Sequence, residues 1–239
     1  MFWKLFFYTC EFLCGLHPVA ARREYLRTRR LFDWRRKYSA LRGALPDMHI
    51  HSMRMIRGGW NIGFIINGKY VFKVRKFNDS QIPADKIMRE KRITDALRPH
   101  CPVQMPTIEI VPAGEFTFYK YNFIPGKNLN KTRLKKIVRH REKLGRQLAE
   151  FIYAIHNAHA PEIDDLKTSD GDGWNHNDIC NNVIVNRRTM DIVGIIDWEY
   201  AGWGPLETDL RNTTAYSSRM RKSGLNEIVR REYARRVSG

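Results

Sequence analysis

The stretch Trp174 to Leu210 constrains this chain more than any other part of it. His176, Asn177 and Asp178 precede an apolar run Val183–Val185, a polar connection from Asn186 to Asp191, and a second apolar run from Ile192 to Ile196 that delivers Asp197. Short β-branched runs joined by a tight polar connection predict a hairpin, because such side chains suit a pleated, half-buried surface. A hairpin returns to the end it started from, so Asp178, Asp197 and the intervening amide side chains are expected to converge.

The chain has 239 residues with 43% hydrophobic content, enough to bury a substantial core as one large domain or as two lobes. Its four cysteines, Cys10, Cys14, Cys101 and Cys180, have neither the number nor the spacing of a disulfide framework, and no CxxC pair suggests zinc. A reducing compartment and the absence of a structural metal follow as expectations. The formal net charge of +17 favours polyanions: nucleic acid, an anionic membrane face or nucleotide phosphates. Charge alone does not choose among these.

Residues 1–45 read as an amphipathic and basic segment. Met1 to Ala20 is strongly apolar, but Lys4 and Glu11 interrupt it, so an uninterrupted span able to cross a bilayer is missing. Trp3, Phe6, Phe7, Cys10, Leu13, Cys14 and His17 recur at helical spacing, and Pro18 would end the helix. From Arg22 to Arg42, nine Arg and Lys residues interleave with Tyr25, Leu26, Phe32, Trp34, Tyr38 and Leu41. This pattern fits peripheral contact with anionic lipid at the inner membrane face of a cytoplasmic protein, and it equally fits a helix packed on the body with a solvated basic side. A cleaved signal peptide ending near Val19-Ala20-Ala21 is a third reading.

Arg54 to Lys76 has the pattern of a β-meander, with Phe64–Ile66 and Tyr70–Val74 separated by Asn67-Gly68, a strong hairpin signal. Gly58, Gly59 and Gly63 precede or open the first of these strands, where glycine lets a backbone approach phosphate oxygens closely. Taken alone, these are turn glycines and Lys73 is a solvated strand lysine. A helix over Ile82 to Leu97 carries Glu90, and Pro102 to Pro112 is extended. Phe116 to Phe123 reads as another strand, closed by Ile124-Pro125-Gly126. A long helical pattern over Lys127 to Ala160 aligns Leu144, Leu148, Phe151, Ile152 and Ile155, with His156 as a core or capping residue near its end.

The order of these parts is more specific than any one of them. Glycine loop, lysine hairpin, glutamate helix, strand with Pro-Gly, long helix, His-Asn-Asp loop, hairpin and aspartate follow the order of a kinase-like fold. The chain resembles the aminoglycoside phosphotransferase and choline kinase superfamily. GGWNIGFIINGKYVFKV is similar to its nucleotide loop and lysine strand, YNFIPGKNL to its interlobe linker, NHNDICNNVIV to its catalytic loop, and GIIDWEYAGWGPLETDL to its metal-binding segment. The resemblance spans roughly Arg54 to Leu210. It implies an α+β, protein-kinase-like two-lobed fold, with an antiparallel-sheet N-lobe over residues 46–124 and a mainly helical C-lobe over 125–239.

Carried over residue by residue, it implies an ATP- or GTP-dependent phosphotransferase using Mg2+, with a hydroxyl of a small molecule or lipid head group as acceptor. Asp178 would serve as the base, and Asp197 with Asn182 would hold the cation. Gly58, Gly59, Asn61 and Lys73 would meet the phosphates, Glu90 would position Lys73, and Tyr121 and Phe123 would line the adenine slot through backbone groups. His176 is expected to scaffold the loop. In the family pattern five positions separate the loop aspartate from the metal asparagine, whereas Asp178 and Asn182 are four apart, which makes Asn181 a competing ligand. Only 29 residues follow Leu210, so a short acceptor region is expected. His-Asn-Asp and Asp-Trp-Glu-Tyr-Ala-Gly point to a choline-like acceptor, with Trp198, Tyr200 and Trp203 as aromatic faces or as core. An acidic rim of Asp164, Asp165, Asp170 and Asp172 would be needed for a polycation, and an anionic sugar or glycolipid suits the charge better. Two readings from other classes stand beside this one: a pseudokinase that binds nucleotide without transfer, and a basic nucleic-acid-binding protein, although nucleic acid is not the expected partner.

Overall fold

The computed structural model describes residues 32–57, 61–75 and 84–239. The expected N-terminal apolar helix, the Gly58-Gly59 loop and Pro83 lie outside the described residues. Two compact units are present, one built from residues before Pro83 together with Glu109–Phe123, the other from Pro83–Ile108 and Ile124–Gly239. The stretch 46–124 is thus divided between them. Residues 83–108 join the second unit because Ile93, Ala96, Leu97 and Met105 are buried in its core.

The first unit is a five-stranded antiparallel sheet. Strands β1 (Met53–Arg57), β2 (Asn61–Ile66), β3 (Tyr70–Arg75), β4 (Glu109–Ala113) and β5 (Phe116–Asn122) lie in the order β1-β2-β3-β5-β4. The hairpin between β2 and β3 turns at Asn67 and Gly68, both left-handed with φ of 55° and 65°. These are the angles of the tight turn that an Asn-Gly pair favours. The Asn67 side chain also accepts hydrogen bonds from the His51 and Ser52 N–H groups and donates to the His49 carbonyl, fastening the entry to β1. Helix α1 (Phe32–Gly43) packs on this sheet: Leu41 is fully buried, and Trp34 and Tyr38 lie against the cluster of Phe64, Phe72 and Phe118. For these residues the packed alternative is the one realised. Lys37 is buried there too, its ammonium over the Phe116 ring at 5.1 Å, and burial pulls it down to about 8.

The second unit begins with α2 (Ala84–Leu97) and continues through β6 (Lys127–Asn128), α3 (Leu134–Arg139) and α4 (Arg141–His156). The single long helix expected from Lys127 is broken. The Asn128 side chain accepts from the Asn130 N–H and stops the strand in a tight turn, and His140 interrupts the helix with φ −111° and ψ 12°. Along α4, Leu144, Leu148, Phe151, Ile152 and Ile155 are fully buried, about 1.5–3 kcal/mol for each such side chain. Strands β7 (Gly173–Asn175), β8 (Val183–Val185), β9 (Ile192–Ile195) and β10 (Gly202–Gly204) follow, with short helices α5 (Glu207–Asn212) and α6 (Ser218–Arg221), and then α7 (Leu225–Ser238). Strands β8 and β9 form the expected hairpin, with Val183 opposite Ile195, and β10 pairs with β7. Helix α7 lies against α4 at Gly145, where a Cβ would come within 2.4 Å of the Ile228 side chain, so only glycine allows this approach. The described cysteines, Cys101 and Cys180, are free thiols.

Candidate active site

Within the second unit, Asp178 sits between β7 and a single tight turn, Ile179–Asn181, that leads into β8. Its carboxylate is held from two sides. Asn182 Nδ2 donates to Oδ2 at 2.9 Å and to the Asp178 carbonyl at 2.8 Å, while Asn181 Nδ2 donates to Oδ1 at 3.3 Å. Burial raises the Asp178 carboxyl above its ordinary range, and the nearby Asp197 charge pushes the same way. These amides and His176 act in the opposite direction.

The two asparagines are used differently. Asn181 accepts from Asn130 Nδ2 at 2.7 Å through its side-chain oxygen, and its main-chain carbonyl accepts from Asn128 Nδ2. Asn182 engages its amide nitrogen with Asp178, and among the described residues its Oδ1 accepts no hydrogen bond. The Asn182 carbonyl accepts the Ile196 N–H at 3.1 Å, which registers the residue before Asp197 against the loop.

Asp197 has a left-handed backbone, φ 67°, and its neighbours are fixed on both sides. The Trp198 N–H donates to Glu90 Oε1 on α2 at 3.2 Å, and the Ile196 carbonyl accepts from His176 Nε2 at 3.1 Å. Since His176 Nδ1 accepts the Asp178 N–H at 3.1 Å, the proton resides on Nε2 and the ring is a neutral spacer between the two aspartates. Burial holds its pKa below the usual 6.5. The ring lies 4.6 Å from that of Trp198, which is itself fully buried. His176 therefore scaffolds the loop.

A further carboxylate organises the site from behind. Asp209, fully buried on α5, accepts the N–H of His176 through Oδ2 and the N–H of Asn177 through Oδ1, both at 2.8 Å. Asn212 Nδ2 on the same helix donates to the Asn177 carbonyl at 3.0 Å. Together they hold Asn177 in its left-handed conformation, φ 66°. His156 Nε2 is 3.8 Å from Asp209, and His156 Nδ1 meets the Tyr233 hydroxyl of α7 at 2.9 Å. Asp209 was not singled out from the sequence, nor were Asn128, Asn130 and Asn212. A lone carboxylate on a short helix has no periodic signature, and the residues it serves lie over thirty positions away.

In the first unit, Lys73 on β3 is buried and lies in register with Gly63 and Tyr119, its ammonium 5.5 Å from the Tyr119 ring. Asn61 opens β2 opposite Arg75, and among the described residues its buried side-chain oxygen has no hydrogen-bond partner. Tyr121 pairs with Val71. The Phe123 N–H donates to the Lys69 carbonyl at 2.7 Å, and the Arg54 guanidinium lies over the Phe123 ring, 5.8 Å from its centroid.

The aromatic and acidic residues considered for the acceptor are mostly committed. Trp198 is core, Trp203 packs edge-on against Trp174 at 5.3 Å, and Tyr200 is exposed. Asp164 pairs with Lys167 and Asp165 with Arg92, both at 2.6 Å, and Asp172 accepts the Leu206 N–H at 2.8 Å. Among the described residues, no group of three His, Cys, Asp or Glu side chains is placed to hold a metal ion, and no helix is long and apolar enough to cross a membrane.

Comparison with known proteins agrees with this architecture. The model of the phosphotransferase enzyme family matches residues 163–236, which include the loop, the hairpin and α5. No curated protein matches the chain in sequence. Among solved structures, APH(2")-IIa in its ternary complex with streptomycin and ATP has a TM-score of 0.64 at 15% identity, over 84% of this chain and 82% of that one. APH(2")-IIIa in complex with GDP and kanamycin gives 0.61 at 16% identity, over 83% and 86%. Macrolide 2'-phosphotransferase MphH from Brachybacterium faecium gives 0.60 at 14%, over 85% and 83%. The chain has the α+β, kinase-like fold of these enzymes.

Proposed function

We propose that this chain, a phosphotransferase by its family match and its kinase-like fold, transfers the γ-phosphoryl group of ATP or GTP to a hydroxyl of a small molecule or lipid head group. The observation that carries this reading is the clasp on Asp178. A carboxylate raised by burial, oriented by Asn181 and Asn182 and set on a neutral histidine, is a positioned proton acceptor. In the reaction an acceptor hydroxyl oxygen bonds to the γ-phosphorus while the bond from that phosphorus to the β,γ-bridging oxygen breaks. The hydroxyl proton passes to Asp178 and the nucleoside diphosphate departs with the bond's electron pair.

The oxygen donors fit Mg2+, which takes few protein ligands and keeps waters and phosphate oxygens for the remainder. Asp197 would supply a carboxylate and Asn182 its unengaged Oδ1. Asn181 is the poorer ligand, because Asn130 already occupies its oxygen. When bound, the cation would screen the phosphate charge. Lys73, with Asn61 and the Gly58-Gly59 loop, would meet the phosphates, Glu90 would set Lys73, and Tyr121 and Phe123 would border the base. With Trp198 in the core, a choline-type aromatic cage at these positions loses its main wall.

The test is an acceptor screen with Mg2+ and ATP or GTP, read by mass shift of the acceptor. Asp178→Ala should lose transfer yet keep Mg-nucleotide binding, and equal activity of mutant and wild type would sink the base assignment. The short spacing between Asp178 and Asn182 favours one second reading, a nucleotide-binding pseudokinase. Nucleotide-induced melting shifts with no transfer to any acceptor would support it.

A further inference from the structure

Between Asp197 and β10 the chain makes one tight turn, Trp198 to Ala201, closed by the Ala201 N–H donating to the Trp198 carbonyl at 2.9 Å. Helix α2 holds this turn at both ends with two successive residues. Glu90 Oε1 accepts the Trp198 N–H at 3.2 Å, and Arg89 Nη1 donates to the Ala201 carbonyl at 2.6 Å. Successive side chains leave a helix about 100° apart, so the pair brackets the turn from two directions. From the side of the catalytic loop, Asn177 Nδ2 donates to the Tyr200 carbonyl at 2.9 Å.

Arg89 is partly withdrawn from water, which pulls its pKa below the ordinary arginine value, and among the described residues no carboxylate lies within ion-pair distance of it. A cation withdrawn from water is costly unless it is hydrogen-bonded, so the bond to the Ala201 carbonyl is what fixes this side chain. The approach is close on the other side as well. A Cβ added at Gly202, the first residue of β10, would stand 2.8 Å from Arg89 Nη2 and 3.8 Å from its Cζ, and apart from its chain neighbours it would meet no other atom within 4 Å. The absent side chain at Gly202 is thus the space that the guanidinium takes. Asp197 immediately precedes the turn and has φ 67°, a conformation that a residue with a side chain keeps only where its surroundings enforce it. The grips on Trp198 and Ala201 are such an enforcement.

We propose that Arg89 is a positioning residue for Asp197: by holding the Ala201 carbonyl from the space left open at Gly202, it keeps the turn that maintains the left-handed backbone of the cation-binding carboxylate. This rests on the phosphotransferase reading and adds to it a residue that acts on Mg2+ affinity through the turn.

The test compares the Kd of the full chain for ADP in excess Mg2+ with its Kd in EDTA, both by calorimetry. The ratio of the two isolates the contribution of the cation and needs neither an acceptor nor turnover. In Arg89→Ala the advantage given by Mg2+ should shrink about fivefold, the worth of one ordinary hydrogen bond, while the Kd in EDTA stays unchanged. Arg89→Lys, which can still donate to the carbonyl, should lose less. Gly202→Ala should act in the same direction with the unliganded Tm close to that of wild type, because alanine suits a strand better than glycine and its methyl displaces only the guanidinium. Combining Arg89→Ala with Gly202→Ala should do no more than Arg89→Ala alone, since the methyl then meets open space. A wild-type ratio near one, an unchanged ratio in both single variants, or additive losses in the double variant overturns the proposal. A lower unliganded Tm in Arg89→Ala with the ratio intact does so too, and assigns the residue to folding alone. Failure of the phosphotransferase reading is distinguishable, since it appears as absence of ADP binding by the wild type in both conditions.

Discussion

Asn182 grips Asp178 twice with one amide nitrogen, at the main-chain carbonyl and at Oδ2, 2.8 and 2.9 Å away. The shortened spacing makes this possible, because four residues form a single tight turn that places the two side chains face to face. Asn182→Ala removes both hydrogen bonds and the candidate ligand oxygen, so transfer should fall about a hundredfold or more. The Mg2+ concentration for half-maximal rate should rise with it. Asn181→Ala should cost less and leave the Mg2+ dependence in place. Titration of Mg2+ in both variants decides, and a larger Mg2+ shift in Asn181→Ala reverses the ligand assignment.

Asp209→Asn turns one of two carboxylate oxygens into a donor that faces a main-chain N–H. Hydrogen bonds to a buried charge contribute about 1.5–3 kcal/mol each, so a loss of roughly 3 kcal/mol is expected. At this chain length that is a fall in Tm of roughly 6–12 °C. Thermal unfolding measures it, and a Tm within 2 °C of wild type would show that the loop does not depend on this anchor.

Stability should fall as the protein is acidified through the range of an ordinary histidine. The folded value of His176 is depressed below 6.5, so on acidification the unfolded chain takes up its proton first. The contribution is therefore present above about pH 6.5 and lost below it, at up to about 1.4 kcal/mol per pH unit. His176→Gln should flatten this slope in urea unfolding between pH 7.5 and 5.5. Parallel curves for variant and wild type would contradict it.

Glu90 joins an acceptor role to a charge, and substitution can separate them. Glu90→Gln keeps an oxygen for the Trp198 N–H, so stability should stay within about 1 kcal/mol, while a role in setting Lys73 would show as a raised KM for the nucleotide. Glu90→Ala should lower both stability and kcat. An unchanged nucleotide KM in Glu90→Gln removes the positioning role and leaves the structural one.

What could be read in the residues was local. Asn67-Gly68 encodes its own turn angles, and the β-branched runs at Val183 and Ile192 encode their own pairing. The breaks at Asn128 and His140 were hidden within a helical pattern, because the side-chain bond that stops the strand outweighs the propensity of the lysines after it. Asp209 acts on main-chain groups over thirty residues away, and that link exists only once the chain is folded. Trp34 and Tyr38 could serve either a membrane or the sheet, and hydrophobicity alone does not say which. In the folded chain they cover Phe64.

The contact of Tyr233 with His156, and of His156 with Asp209, runs from the last helix to the backbone of the loop beneath Asp178. Substitutions along Leu225–Ser238 would thus register in a random-mutagenesis screen as lost turnover, although none of those residues lines the Asp178 carboxylate. A map drawn from such a screen would place the centre of the proposed site too near the C-terminus.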